Sequence, residues 1–229
     1  MEVLCVVLLF VLSALAGGCR NGEPGPSPSL PFSLRFTPGA QFVYDTLTLD
    51  QRYPRLPPAK TTTSWRVLTT QAEYQGKGEV TVIVDSANSA SAGTDTLYLA
   101  TSPSGDISIY GFLARIVKRR LGKEIDRRWD LVASFSAGET GLWTVGPADS
   151  LGREIIYGNI AGASDYYSAT VDGVTEAFPT YRVDLTGPSL YCSLWFSNAP
   201  NAIVRLLEEP GIEVNGQLRE LVAIETGTR

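Results

Sequence analysis

Short runs of alternating apolar and polar residues recur along most of the chain, and they restrict its fold more than any other feature. Residues 41–50 read QFVYDTLTLD, so Phe42 and Tyr44 share one side of an extended chain while Val43 and Leu47 share the other. Similar runs, rich in Val, Thr, Tyr and Ile, occupy residues 61–70, 79–85, 94–101, 105–110, 128–136, 140–146, 153–159, 165–172, 174–185, 190–197, 201–208 and 217–225. They predict an all-β, mainly antiparallel fold.

A sheet of ten or more strands has to protect its two edges, so we expect a curved half-barrel or a barrel-like meander. Two dipeptides between runs, Asp172-Gly173 and Asn215-Gly216, predict two-residue type I′ hairpins, because Asn, Asp and Gly accept positive φ at low cost. Residues 76–78, Gly-Lys-Gly, predict a looser turn, and the small polar segment 85–95 predicts a loop.

One segment departs from the strand pattern. Residues 111–122 read GFLARIVKRRLG, in which the apolar residues, among them Phe112 and Ile116, fall near helical spacing. We expect one short amphipathic helix that ends at Gly122, and the alternative is a long hairpin that turns at residues 122–123.

Basic residues are concentrated in and after this segment, with seven of the 19 Lys and Arg between residues 115 and 128. Arg115, Lys118, Arg119 and Arg120 are candidates for contact with anionic lipid headgroups. The alternative is a solvated helix face with local salt bridges.

The N-terminal segment is the second strong signal. Residues 3–16 are apolar apart from one Ser, a run shorter than the roughly 20 residues of a membrane-spanning helix and typical of a signal peptide core. Leu15, Ala16, Gly17, Gly18 and Cys19 follow, and this sequence resembles the lipobox of bacterial lipoproteins. Leu15 lies one position further from the cysteine than in the family pattern, and no Lys or Arg precedes the apolar run.

The resemblance implies that residues 1–18 are removed as a signal peptide, that Cys19 carries a diacylglyceryl thioether and that its new amino group is acylated, commonly with palmitate. Residues 19–31, rich in Pro, Gly and Ser, then form a flexible tether. Because Arg20 rather than Asp follows Cys19, the resemblance favours the outer membrane, facing the periplasm. An ordinary secretory signal and an uncleaved anchor are the alternatives.

Residues 32–229 suit a single β-rich domain, because no shift in composition marks a second boundary. The net charge of −5 argues against a nucleic-acid partner. The four Trp residues are expected to fill the concave side of the curved sheet, although an open concave face would instead suit an apolar ligand.

The chain contains no histidine, which excludes Ser-His-Asp and Cys-His catalysis and the zinc sites that need histidine. Neither a cofactor motif nor a metal site is recognised. With Cys5 in the signal peptide and Cys19 acylated, Cys192 is the remaining thiol, and its apolar neighbours predict that it is buried and inert. Glu208 and Glu209 are expected to form a solvated strand end.

The C-terminal third, with its Trp195-Phe196-Ser197 run, the Pro-containing turn at Pro200 and the final strands, resembles uncharacterised envelope lipoproteins and, more distantly, the half-barrel carriers LolA and LolB. The resemblance implies a fold rather than a function. We expect a membrane-anchored, non-enzymatic protein with a binding or structural role, whose partner is an apolar ligand or an envelope protein. A carrier of lipid or another apolar ligand and a carboxylate-dependent enzyme are the alternatives.

Overall fold

Each of these alternating runs lies on a strand of the structure, a computed structural model that describes residues 32, 34–49, 59–87, 94–138, 141–171, 174–209 and 215–225. Thirteen runs yield twelve strands, since runs 153–159 and 165–172 belong to one long strand. The strands are β1 (Gln41–Leu49), β2 (Lys60–Tyr74), β3 (Lys77–Ala87), β4 (Asp95–Thr101), β5 (Ile107–Tyr110), β6 (Trp129–Ala133), β7 (Leu142–Pro147), β8 (Ile155–Val171), β9 (Val174–Thr186), β10 (Tyr191–Asn198), β11 (Asn201–Glu208) and β12 (Gly216–Glu225).

The twelve strands form one antiparallel sheet in the order β6-β5-β4-β3-β2-β1-β12-β11-β10-β9-β8-β7. The first and last strands lie at its centre, where Gln41 pairs with Glu225 and Leu49 with Gly216. The sheet curls until its edge strands β6 and β7 meet, and this nearly closed barrel confirms the predicted fold class.

Side chains close the seam between β6 and β7. Trp143 Nε1 on β7 donates a hydrogen bond to the main-chain oxygen of Leu131 on β6 at 2.9 Å. Arg128, immediately before β6, donates a second one to the main-chain oxygen of Pro147. The two edges are therefore joined without a complete main-chain ladder.

The barrel interior is filled by the chain's own apolar side chains. Phe32 stacks on Phe135 with ring centroids 4.4 Å apart, and Tyr181 and Phe196 meet Phe32 edge-on at 5.4 and 6.2 Å. Trp65 and Trp143 are also buried in this core. The expectation that all four Trp residues fill the concave side is wrong for Trp129, which lies outside the core: Lys77 Nζ lies 4.9 Å from its ring centroid, and its Nε1 donates to the Gln75 oxygen.

The predicted helix is confirmed as α1 (Phe112–Leu121), in the connection between β5 and β6. Its apolar residues Phe112, Leu113, Ile116 and Val117 pack into the barrel core. Gly122 adopts the left-handed conformation, φ 64°, and donates its N–H to the Lys118 oxygen, a C-terminal cap that glycine favours.

The predicted turns are partly wrong. Gln75 and Gly76 have φ of 47° and 78°, and Tyr74 pairs with Lys77, so a tight two-residue hairpin forms where a looser turn was expected. Asn215-Gly216 does not form one, because β11 ends at Glu208 and Glu208 pairs with Gln217. Asp172-Gly173 lies outside the described residues.

Candidate functional site

A small pocket opens between α1 and the inner wall of the barrel. Its volume is about 50 Å³, and its walls are mostly apolar while its rim is charged. The lining residues are Trp65, Asp85, Leu97, Ile109, Phe112, Arg115, Ile116, Arg119, Leu194, Ile203, Leu206, Glu208 and Arg219. We call it the helix pocket.

The helix pocket forms because inward-facing positions from several distant strands meet α1. Asp85 lies near the end of β3 and pairs in register with Trp65 of β2. Leu206 of β11 lies opposite Arg219 of β12. Aliphatic and aromatic residues supply the floor at these positions, and charged residues appear towards the rim.

Arg219 and Asp85 form the first ion pair of the rim. Arg219 Nη1 lies 2.9 Å from Asp85 Oδ2, and the two side chains are only 13 % and 18 % exposed. Gln217 Oε1 accepts a hydrogen bond from Arg219 Nε at 3.2 Å, which orients the guanidinium. Partial burial strengthens such a pair relative to one in open solvent.

Arg119 and Glu208 form the second ion pair, which joins α1 to β11. Glu208 is 2 % exposed, so the expectation of a solvated strand end at this residue is wrong. Its Oε1 accepts from Arg119, and its Oε2 has no hydrogen-bond partner among the described residues. Trp65 Nε1 is likewise buried and unpartnered there. Arg115 Nε and Nη1 are buried there without hydrogen-bond partners as well, so the pocket lies beside one such acceptor and three such donors among the described residues.

Arg115 forms the third ion pair. Its Nε lies 2.7 Å from Asp95 Oδ2, and the guanidinium also donates to the Thr96 oxygen at the start of β4. Burial is the largest influence on this group and lowers the pKa of Arg115 despite the opposing effect of Asp95. The positive charge is thus held where solvation is weak, which is costly unless the partners stay in place.

The basic residues of α1 divide into two sets. Arg115 and Arg119 line the helix pocket, whereas Lys118 is exposed and pairs with Glu124 at 2.7 Å. Arg120 is half-buried, with Nε and Nη1 lacking hydrogen-bond partners among the described residues. Contact of these four residues with headgroups stays a prediction, and Cys19 lies outside the described residues.

Cys192 occupies the inner wall next to Glu208, its partner in the β10–β11 ladder. The residue is fully buried, and burial raises the pKa of the Cys192 thiol well above its ordinary value. The prediction of a buried thiol is confirmed. A thiol of this kind reacts slowly because the thiolate is the nucleophile.

A larger groove of about 500 Å³ lies beside the N-terminal segment of the barrel, and residues such as Arg35, Thr70, Gln71, Glu79 and Ser102 line it. It is an open surface depression. We take the helix pocket as the candidate site, since ion pairs between buried or half-buried groups and buried polar atoms without partners among the described residues lie on its lining.

Local sequence patterns miss the acidic half of the site. Asp85 belongs to a segment that reads as a loop, and Arg119 and Glu208 are 89 positions apart in the chain. At Glu208 the sequence shows an apolar strand that ends in a carboxylate. This pattern is as typical of an exposed strand end as of a buried ion pair, so it does not identify Glu208 as a site residue.

Comparisons with protein-family models, with curated proteins and with solved structures found no match. Across the described part of the chain, no helix has the length and apolar character needed to cross a bilayer. Nor do the described residues bring three or more Cys, Asp or Glu together in a group suited to a metal ion.

Proposed function

We propose that the protein is a lipid-anchored, non-enzymatic binding protein of the bacterial cell envelope. The chain is exported, cut before Cys19, acylated there and held at the outer membrane on the periplasmic side. The lipobox-like sequence supports the anchor. The barrel core begins at Phe32, directly after the Pro-, Gly- and Ser-rich segment 19–31, which suits a spacer between membrane and domain.

The helix pocket carries the proposal of binding. Its floor, with Ile116 and Leu206, suits an apolar group, and its rim, with Arg119 and Glu208, suits a polar head. A small amphiphile matches both parts. Glu208 Oε2 and Trp65 Nε1 are buried polar atoms that such a head could satisfy.

The size of the pocket sets a condition on binding. Ligand sites usually enclose about 300–1,000 Å³, whereas the helix pocket holds about 50 Å³. An amphiphile longer than a few heavy atoms therefore requires α1 to move outward. Left-handed glycines, Gly111 and Gly122, flank α1 at both ends, so changes of main-chain direction are concentrated there.

A carrier of lipid or another apolar ligand is the second candidate function. It is favoured by the apolar wall under α1, which includes Leu97, Ile109, Leu194 and Ile203. Displacing Phe112, Leu113, Ile116 and Val117 would turn that wall into an apolar cavity. The distant resemblance to half-barrel carriers points to the same role.

An enzymatic role is less well supported. Asp85 and Glu208 line one pocket, but each is paired with an arginine, Arg219 and Arg119 respectively. Two carboxylates held in this way suit structural ion pairs better than a free acid and base.

The anchor is tested by the variant Cys19→Ala. Cells grown with an alkyne fatty acid should label the wild-type protein, and the variant should lose both the label and its membrane association. The variant Cys192→Ala is the matched control and should keep both. Persistent labelling of Cys19→Ala would contradict the proposed anchor.

Binding is tested on the soluble Cys19→Ala protein with a dansyl-labelled fatty acid. We expect saturable fluorescence enhancement that Ile116→Trp, which fills the pocket, weakens at least tenfold. Leu68→Trp, at a residue 53 % exposed, is the control and should bind as before. Equal binding by both variants would show that the fatty acid binds outside the helix pocket. A Cys19→Ala protein that binds no fatty acid would contradict the proposal of an amphiphile site. Lipid retained through purification and detected by native mass spectrometry would favour the carrier.

A further inference from the structure

Two polar atoms on the barrel wall of the helix pocket have no hydrogen-bond partner among the described residues. They are Glu208 Oε2, an acceptor on β11, and Trp65 Nε1, a donor on β2. The two residues are only 2 % and 5 % exposed. A buried polar atom without a partner costs more free energy than an ordinary hydrogen bond contributes, so a molecule that enters the pocket is favoured when it carries both a donor and an acceptor.

These two atoms belong to the sheet, whereas the arginines beside them belong to the helix. β2 is paired with β1 and β3, and β11 is paired with β10 and β12. Arg115 and Arg119 are carried by α1. A ligand longer than a few heavy atoms requires α1 to move outward, and the arginines then shift while the paired strands hold Trp65 and Glu208. The wall atoms therefore decide which head the pocket recognises.

The charges around the pocket balance. Three ion pairs surround it, each with one arginine and one carboxylate: Arg219–Asp85, Arg119–Glu208 and Arg115–Asp95. Among the lining residues and their ion-pair partners, positive and negative charges are thus equal in number. A charged head would lose its hydration on entering this site without gaining a free counter-charge, which is unfavourable.

The common kinds of polar head differ in how they meet the two wall atoms. A carboxylate accepts from Trp65 Nε1 but has no proton for Glu208 Oε2, so two anionic groups share a small pocket. An ammonium donates to Glu208 Oε2 but has no acceptor for Trp65 Nε1. A hydroxyl donates with its O–H and accepts with its lone pairs, so it satisfies both atoms.

We infer that the helix pocket selects amphiphiles with an uncharged, hydroxyl-bearing head, the chemistry of a long-chain alcohol or a glycerol ester, over fatty acids and alkylamines. The inference rests on the amphiphile site proposed above and adds the chemistry of the head. Arg115 Nη1, also buried and unpartnered within the described part of the chain, is a donor for a second hydroxyl. The volume of about 50 Å³ accommodates such a head, because one ordered water needs about 10–15 Å³. A fatty acid keeps the contact with Trp65 and binds, but more weakly.

Titration calorimetry of the soluble Cys19→Ala protein compares three heads on one chain length: octan-1-ol, octanoate and octylammonium. At about pH 8 the acid is anionic and the amine cationic. We expect octan-1-ol to bind at least tenfold more tightly than either ion. An ion that binds as tightly as octan-1-ol would overturn the inference and leave the amphiphile site standing. The same holds if the dansyl-labelled fatty acid binds and octan-1-ol does not, since water alone would then satisfy the wall atoms. Binding of none of these compounds would contradict the proposed function as well.

The donor on the wall is tested by Trp65→Phe, which keeps an aromatic ring and removes Nε1. Its affinity for octan-1-ol should fall about fivefold, the equivalent of one net hydrogen bond. Trp129→Phe removes an indole N–H outside the core and is the matched control, with unchanged affinity. Equal affinities of the two variants for octan-1-ol would overturn the role of Trp65 Nε1.

The acceptor on the wall is tested by Glu208→Gln, which removes the negative charge at nearly constant shape and leaves Arg119 without its carboxylate. Octanoate should then bind at least tenfold more tightly than to the parent protein. Glu220→Gln, at a carboxylate that pairs with Arg205 outside the pocket lining, is the matched control and should leave octanoate binding unchanged. Octanoate binding that does not improve in a Glu208→Gln protein shown to be folded by circular dichroism would overturn the inference. If that variant does not fold, the three heads and Trp65→Phe decide.

Discussion

Asp130 on β6 caps α1 from across the chain: its Oδ2 accepts a hydrogen bond from the Leu113 N–H at 2.9 Å. The N-cap residue Gly111, immediately before α1, has no side chain to do this, so a distant carboxylate satisfies an otherwise free donor. Asp130 is 1 % exposed, and burial raises its pKa to about 6 despite the Leu113 N–H and Arg128.

This pKa predicts how stability depends on pH. The pKa of Asp130 is 3.8 in the unfolded chain and about 6 in the folded protein. Between pH 3.8 and about pH 6, the folded protein therefore binds the Asp130 proton more tightly than the unfolded chain does. The contribution of Asp130 to the free energy of unfolding is therefore largest below pH 3.8, falls as pH rises and is lost above about pH 6. The total change is about 3 kcal/mol. Urea unfolding of wild type and Asp130→Asn at several pH values measures it as the difference between the two curves. A difference that does not vary with pH would contradict the assignment.

The ion pair that joins α1 to β11 predicts a second stability effect. Arg119→Ala leaves Glu208 buried without its partner, and we expect a loss of about 2–3 kcal/mol, below the full value for buried pairs because Arg119 is 42 % exposed. Lys118→Ala, in the exposed pair with Glu124, should have a much smaller effect, because solvent screens that pair. Denaturant titration of both variants checks this. Equal losses would show that the Glu208 pair is no stronger than a surface pair.

Local patterns were sufficient for the strands and the helix. Alternation in runs such as 41–50, and the spacing of Phe112 and Ile116, reflect burial on one face and so predict the elements directly. Turns were predicted less well because Asn215-Gly216 carries the same local signal as a tight hairpin, while the register of β11 with β12 places it at the end of a longer connection.

The candidate site depends on contacts that no local pattern contains. Glu208 is the buried ion-pair partner of Arg119 only because the fold brings α1 next to β11. The capping of Leu113 by Asp130 and the closure of the β6–β7 seam are equally non-local. Sequence spacing describes neighbours within an element, so these pairings require the folded sheet.

The β6–β7 seam predicts a packing effect at Gly158. This residue pairs with Trp143, and a Cβ at Gly158 would overlap the indole ring that donates to Leu131. Gly158→Ala should therefore displace Trp143 and cost about 1–3 kcal/mol. Gly78→Ala, where a Cβ meets no atom within 4 Å, is the control and should be neutral or slightly stabilising. Thermal unfolding and Trp fluorescence report both effects, and an unchanged Gly158→Ala protein would show that Trp143 does not need this space.

The buried thiol predicts a chemical readout of the core. Cys192 is fully buried on the inner wall, and its pKa is raised chiefly by burial, so it should resist iodoacetamide at neutral pH while the protein is folded. Labelling should begin only across the urea unfolding transition, and it can be counted by mass spectrometry. Because Arg119 holds α1 over the neighbouring Glu208, Arg119→Ala should label faster than Lys118→Ala in the absence of urea. Rapid labelling of the folded wild type would show that the barrel wall opens without unfolding, and equal rates in the two variants would show that the Arg119 pair does not restrain that opening.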